Sequence, residues 1–256
     1  MNKTYSLDGI QTILAYPFKA AGWQSKFAIG TALFFANYII PIVPSVFIMG
    51  YFAKIMRAVI VDGAEPALPE WDDWGNLFKR GFKVFCAVTI YLLPSIVLMV
   101  GGYIVMEVPV FLLSFSSHSD YGNSGSFVGI LVLGMIVGMM MVFVGMLLYM
   151  PLALMLPPAI AHLVAKDSFV AAFRIREWWA ILRANFWGFF AAVAVILGVY
   201  LILIMAVYIF YFTIILCFLM PIGLGIIVMY LSVVAAPILG EAYRKGVQNL
   251  AAVARA

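Results

Sequence analysis

Charge is what this chain has least of. Only 10% of its 256 residues are charged, against about a quarter in an ordinary water-soluble domain. So few polar side chains cannot cover a globule of this size, and 66% of the residues are hydrophobic. That balance excludes a soluble domain, a disordered chain and a nucleic-acid-binding protein. Cysteine is almost missing: Cys86 and Cys217 both lie inside apolar runs, so no disulfide framework is implied. The histidines, His118 and His162, each stand alone, and no Cys/His cluster has zinc-ligand spacing. The sequence also lacks a nucleophile–base arrangement, a phosphate loop, a dinucleotide fingerprint and a haem motif. Neither a metal, a cofactor nor an enzymatic activity is therefore expected. Met1–Gln24 shows no continuous apolar run before a small-residue cleavage site, so no signal peptide is expected either.

What the chain does have is long uncharged stretches. A spanning helix needs about 20 apolar residues. Phe27–Ala53, Val84–Met106 and Phe127–Ala161 carry no charge, and Asn185–Gly240 is uncharged over enough length for two spans. The 15 basic residues fall between these stretches, and the polar loop Ser114–Ser126 has none of them. Positive charge marks the cytoplasmic side. With every basic residue on that side, each apolar block must enter and return. The expectation is an all-α integral membrane protein, a single membrane domain over 1–256, with about six membrane helices arranged as three hairpins and a cytoplasmic C-terminus. The third hairpin is expected to turn near Phe210–Pro221. The first must stretch from about Lys19 to Ile60, turning at Pro41 and Pro44, with Lys26 and Lys54 snorkelling to the surface. A single kinked span there, giving five helices and an outside N-terminus, is the alternative.

A Trp-containing basic segment precedes each apolar block, as expected of interfacial amphipathic helices. The second is WDDWGNLFKRGFKVF (Trp71–Phe85) and the third is FRIREWWAILRANFWGFF (Phe173–Phe190). At one constant offset Trp74 matches Trp178, Lys79 matches Arg183, Phe82 matches Phe186 and Phe85 matches Phe189. The first segment, Ala15–Gly30 with Trp23, is only loosely similar. Repeat units over 10–62, 66–166 and 168–246 follow from this pattern. Helical spacing puts Ile175, Trp178, Trp179, Leu182 and Phe186 on one side of the third segment, with Arg174, Arg176, Glu177 and Arg183 toward the other. Trp23, Trp71, Trp74, Lys79, Arg80, Lys83, Arg174, Arg176, Trp178, Trp179 and Arg183 are the expected contacts to anionic lipid or to a partner protein.

Gly50-Tyr51 followed by LPEWDDWGNLFKRGFKVF and by YLLP (Tyr91–Pro94) resembles the membrane family known as domain-of-unknown-function family 4013. YPFK (Tyr16–Lys19) with Trp23, AAFRIREWWAILRAN (Ala171–Asn185) and GEAYRKG (Gly240–Gly246) fit the family's pattern in order. The resemblance covers nearly the whole chain, and LPEWDDWG is its specific motif. It implies a prokaryotic, multi-spanning membrane protein, located in the cell membrane, and implies no particular activity.

Few polar side chains stand out. Glu65, Glu70, Asp72 and Asp73 form the densest group. Pro66 and Pro69 favour an extended approach, so Asp72 or Asp73 stands where a helix N-cap would, with Lys79, Arg80 and Lys83 as expected ion-pair partners. Glu107 lies in an apolar run, roughly 36 Å along a helix from Lys83, which suits an acid at the far headgroup zone; proton or cation coupling is the sharper alternative. Asn37 sits inside the first apolar block and is expected to hydrogen-bond across helices. Gly134 and Gly138 form a GxxxG pair for close helix packing, within the chain or in a homo-oligomer. Met135, Met139, Met140, Met141, Met146, Met150 and Met155 are read as adaptable apolar filler rather than copper ligands. Gly223 and Gly225 after Pro221 suggest a broken helix or a turn.

Together these features favour a non-enzymatic membrane protein that organises lipid or partner proteins through interfacial helices. A small transporter or channel, for an apolar or lipid substrate, is the alternative.

Overall fold

All secondary structure among the described residues is helical, with no strand. The computed structural model describes residues 7–116, 125–211 and 220–255. The α-helices among the described residues are α1 (Leu7–Lys19), α2 (Trp23–Ala36), α3 (Val43–Arg57), α4 (Trp74–Ser116), α5 (Gly125–Lys166), α6 (Ile175–Ala184), α7 (Phe186–Tyr211) and α8 (Met220–Val253). A short π-helical turn, Ala58–Asp62, prolongs α3, and a 3-10 turn, Phe169–Phe173, precedes α6. Five helical stretches are long and apolar enough to cross a membrane: Val43–Asp62, Trp74–Phe111, Val128–Lys166, Phe186–Met205 and Pro221–Val253.

The breaks between helices have local causes. Gly22, in the left-handed region at φ 66°, turns α1 into α2. Gly63, at φ 62°, ends the π-helical turn; both conformations cost glycine little. The carboxylate of Asp73 accepts from the backbone N–H of Asn76 at 3.1 Å and caps α4. Asn185 leaves the helical region (φ −139°, ψ 44°) between α6 and α7, and its amide donates to Ala242 O at 2.8 Å. That bond pins the break to α8.

The chain forms two compact units, Met1–Ala87 with Pro157–Ala256, and Val88–Leu156. In the first unit α8 is the central helix: α2, α3, α6 and α7 all pack against it. Its buried residues include Met229, Val233, Val234, Ala236, Ala242 and Tyr243. Gly223 and Gly225 lie in the uninterrupted start of α8, so the expected break is not there; Gly225 instead lets α8 approach Thr31 and Phe34 of α2. The first apolar block folds as a hairpin, α2 antiparallel to α3, with its turn over 37–42.

The second unit is built on one close helix pair, the adjoining stretches of α4 and α5. Ser95, fully buried, donates to Gly145 O at 2.7 Å. A Cβ on Gly138 would overlap Met106, and one on Gly102 would meet Gly138 O at 2.7 Å. Gly134 faces Pro109. The small residues of the GxxxG pair thus serve packing within the chain. Met135, Met139, Met140, Met146 and Met150 are exposed on this pair rather than filling an interior.

One local expectation changes. The second basic segment is not a separate interfacial helix, because α4 runs unbroken from Trp74 to Ser116. The third segment does form a short separate helix, α6. The polar loop falls mostly at 117–124, including His118 and Asp120, and the third turn at 212–219; both lie outside the described residues.

Candidate functional site

The ion pairs of the first unit form a charged face near the base of the α2–α3 hairpin, α6 and the ends of α5 and α8. Three arrangements occupy it.

The first is a clasp made by the LPEWDDWG stretch over the open end of the α2–α3 hairpin. Lys26, buried in α2, donates to Leu68 O at 2.9 Å and pairs with Glu70 at 2.6 Å. Lys54 of α3 donates to Glu70 O at 3.1 Å and pairs with Asp72 at 2.9 Å. Tyr51 donates to Pro69 O at 2.8 Å, and its ring stacks on Trp71 at 4.1 Å. Trp71 closes the ring of contacts by donating to Lys26 O at 3.2 Å. The Lys54 hydrogen bond holds the Asp72 carboxyl below its ordinary range, and the backbone N–H of Asn76 does the same for Asp73. Both carboxylates stay ionised to low pH, one as an ion-pair partner and one as a helix cap.

Of the four acids, Asp73 is the cap and Glu70 and Asp72 are the ion pairs. The partners differ from those expected. They are Lys26 and Lys54, not Lys79, Arg80 and Lys83, because the extended backbone carries the acids back toward α2 and α3 before α4 starts. Trp71, expected at the contact surface, is buried beneath this clasp.

The second arrangement lies where α3, α4 and α5 meet. Arg57, Arg80 and Lys83 surround Asp167. Lys83 donates to the Asp167 carboxylate at 2.8 Å and to its backbone O at 2.9 Å. That hydrogen bond lowers the Asp167 carboxyl. Arg57 donates to Val164 O at 2.9 Å. Arg80 has a buried Nε with no hydrogen-bond partner among the described residues. Three cations against one carboxylate leave the cluster positive. A cleft of about 320 Å³ opens beside it, lined by Asn76, Phe78, Lys79, Arg80, Phe82 and Asp167 among others. Phe78 and Phe82 are exposed and stack on each other.

The third is centred on His162. Its Nδ1 lies 2.7 Å from the Tyr243 hydroxyl and its Nε2 lies 3.0 Å from the Glu177 carboxylate. Hydrogen bonding to His162 and the charge of Arg174 hold the Glu177 carboxyl low, against a smaller opposing effect of desolvation. A cavity of about 480 Å³ adjoins the trio, with Lys166 and Arg244 on its rim and Ile60, Val247 and Leu250 as apolar lining.

Helix α6 rests on α8 through Trp178 and Ile181, with Gly246 allowing the approach to Ile181. Trp178 is fully buried and donates to Ala172 O at 2.9 Å, so it cannot reach lipid or a partner as expected. Trp179 is exposed, with Arg183 over its ring at 5.5 Å. Arg174 and Arg176 are exposed too, and so are Trp74 and Lys79; Trp23 is half-buried. Glu107 is exposed on α4, in the other unit, with no ion pair or hydrogen bond among the described residues. Asn37 does bridge two helices: its carbonyl accepts from Ser45 N at 3.2 Å and Ser45 Oγ at 2.8 Å.

Nothing in the local sequence points to the His162 trio. Its members lie on three helices far apart in the chain, and nothing local distinguishes His162 from a lone core histidine. Asp167 had a signal that was missed: a lone acid just past a basic helix end.

Long apolar helices, joined on one side by short amphipathic helices and a charged layer, define a multi-pass membrane protein. The sequence pattern of the family described as "Protein of unknown function (DUF4013)" matches residues 33–212, and the chain belongs to that family. The matched region includes the clasp and α6 and leaves out α1, α2 up to Ala32, and α8. No curated protein and no solved structure matches the chain.

Proposed function

We propose that this is a non-enzymatic membrane protein whose charged face, placed on the cytoplasmic side of a prokaryotic cell membrane, holds anionic lipid headgroups and so organises the lipid around it. The carrying observation is the cleft beside Arg80. Its guanidinium has a buried Nε without an acceptor among the described residues. Lys79 lies beside it, and exposed Phe78 and Phe82 offer an apolar wall. A phosphate in the cleft would pair with Lys79 and the guanidinium and balance the excess positive charge. Acyl chains would lie along the phenylalanines. Exposed Arg174, Arg176, Trp179 and Arg183 extend the same chemistry along α6.

The test is lipid retention. Protein reconstituted in an equal mixture of phosphatidylglycerol and phosphatidylcholine, then extracted gently, should carry phosphatidylglycerol in excess. Arg80→Gln together with Lys79→Gln should remove the excess. Equal retention by the variant and the parent would sink the reading.

A small transporter for an apolar or lipid substrate is the second reading, supported by the cavity beside His162 with its cationic rim and apolar lining. Lipid scrambling in proteoliposomes that is lost in Glu177→Gln would favour it.

A further inference from the structure

We propose that α2 and α3 form a re-entrant hairpin: it enters the bilayer from the charged face, turns inside the hydrocarbon and leaves by the same face without crossing. Four observations carry this.

The first is where its ends are held. Lys26 at the base of α2 and Lys54 at the base of α3 are both tied to Leu68–Asp72 of one short clasp. Both bases therefore share one side. A lone crossing by α3 would put Lys26 on the opposite side from Glu70.

The second is reach. From Lys26 to Ala36 the backbone rises about 15 Å, and from Lys54 back to Val43 about 16 Å, at about 1.5 Å per residue. The hydrocarbon core is about 30 Å thick. Val43–Asp62 has a crossing helix's length only when Lys54, Arg57 and Asp62 are counted in. The turn 37–42 adds a few ångströms to each arm, and Thr31 and Phe34 pack against Gly225 near the start of α8, so the tip lies deep in the core.

The third is the tip surface. Tyr38, Ile39, Ile40, Ile42 and Val43 are all exposed, with Ile39 84% exposed. No charged residue lies among 27–53. A tip in water would not carry such a set.

The fourth is the backbone. Irregular chain inside hydrocarbon must satisfy its own N–H groups. Tyr38, Ile39 and Ile40 donate back into the last turn of α2. Pro41 and Pro44 have no N–H to satisfy. Val43 donates to Pro41 O at 3.0 Å in a tight γ-turn, and Val46 donates to Ile42 O at 3.1 Å. Ser45 N, which would be left over, is taken by the Asn37 side chain at 3.2 Å. The turn puts Ile42 at φ 76°, a strained conformation for a β-branched residue. An aqueous turn would use glycine or asparagine there; among the described residues of this turn, only the Ile42 N–H has no acceptor.

Single cysteines in the full-length protein, with Cys86 and Cys217 replaced by alanine, test this in proteoliposomes. Gln24→Cys and Glu65→Cys should both react with a membrane-impermeant maleimide from one and the same side. Ile39→Cys should react from neither side. A nitroxide at position 39 should be relaxed by oxygen and not by an aqueous nickel chelate. Ile40→Cys repeats the measurement at a second tip position. Labelling of position 39 from the side opposite to Gln24→Cys would show a full crossing and overturn the proposal. Nickel access would show a tip in water. Protection from both oxygen and nickel would show a second copy or a partner protein covering the tip. Either of these results would overturn it as well.

Discussion

Replacing Gly81 by alanine adds one methyl group at the tightest crossing in the first unit. A Cβ there would overlap Val46 O and lie 2.7 Å from Gly50 N and 2.9 Å from Val46 C. Ordinary contact begins near 3.4 Å, so α4 must move away from α3 by about 1 Å or more. The obstructing atoms are backbone, so no change of rotamer relieves the overlap. A radial gap of about 0.5–1 Å forfeits roughly a quarter to a half of each dispersion contact. The contacts at risk include Val46, Tyr51, Leu77 and Val84, all buried, and the rings of Phe47, Trp74 and Phe78. Overpacking typically costs about 1–3 kcal/mol, and an unyielding backbone neighbour puts this site at the upper end. For a chain of this size about 3 kcal/mol lowers the melting temperature by roughly 6–12 °C. Intrinsic tryptophan fluorescence during heating, in micelles or nanodiscs, reads this directly. Gly198→Ala and Gly223→Ala are the internal controls, since a Cβ at either position meets nothing within 4 Å. They should melt with the parent or slightly above it, as alanine is the better helix former. Gly50→Ala should resemble Gly81→Ala, because its Cβ would overlap Leu77 O. The double variant should cost less than the sum, since one separation of the helices relieves both clashes. If Gly81→Ala and Gly198→Ala melted at the same temperature, the close α3–α4 crossing would be refuted.

Asn37→Ala should cost about 1–3 kcal/mol, because Ser45 N is left without an acceptor; unchanged thermal stability would show that water reaches the turn. Trp178→Ala should cost about 3–5 kcal/mol as a large-to-small change in a packed site. Its neighbour Trp179→Ala should cost less than about 1 kcal/mol, since only an exposed stack on Arg183 is lost; equal effects would contradict the assigned burial. Asp72, Asp73, Asp167 and Glu177 have carboxyls held below their unfolded values. Their stabilisation is therefore complete above the unfolded carboxylate pKa of about 4 and is lost as pH falls through the lower folded values. Hydrogen exchange across the 63–73 clasp should be unaffected by this between about pH 5 and 8, once corrected for intrinsic rates, and should accelerate below about pH 4. Loosening that set in near neutral pH would point to another group.

What could be read from the chain in advance divides along the reach of each interaction. Apolar runs and the placement of basic residues report on the bilayer, which acts on every residue according to depth, so the helical fold and its membrane character were legible without any tertiary information. Capping and small-residue packing are nearly as local. Asp73 caps within three residues of itself, and Gly138 needs only a facing helix of any apolar sequence. The acid partners were not legible, because proximity along the chain favoured Lys79, Arg80 and Lys83, while the real partners, Lys26 and Lys54, come close only once the first hairpin has folded. The same limit hid His162, whose contacts depend on three helices converging. Amphipathic spacing also misled at Trp178: it identifies a helix with an apolar side, but that side can face lipid or another helix, and only the presence of α8 decides.

The parity of the topology shows how one long-range contact outweighs a local pattern. Charge placement alone allowed either an N-terminus outside with five crossings or a hairpin with six. The Lys26–Glu70 pair removes the first option by returning α2 to the side that α3 ends on. Hydrophobic length then weighs against six, because about 16 Å of uncharged helix on each arm, even with the turn 37–42 beyond it, is shorter than a hydrocarbon core of about 30 Å. Bilayer thinning costs a fraction of a kcal/mol per ångström on each arm. A tip that pairs nearly all its own N–H groups avoids this cost by stopping inside the core. The proposed re-entrant hairpin returns α2 and α3 to the side they start from, so Lys19, Lys26, Lys54 and Arg57 fall on one face.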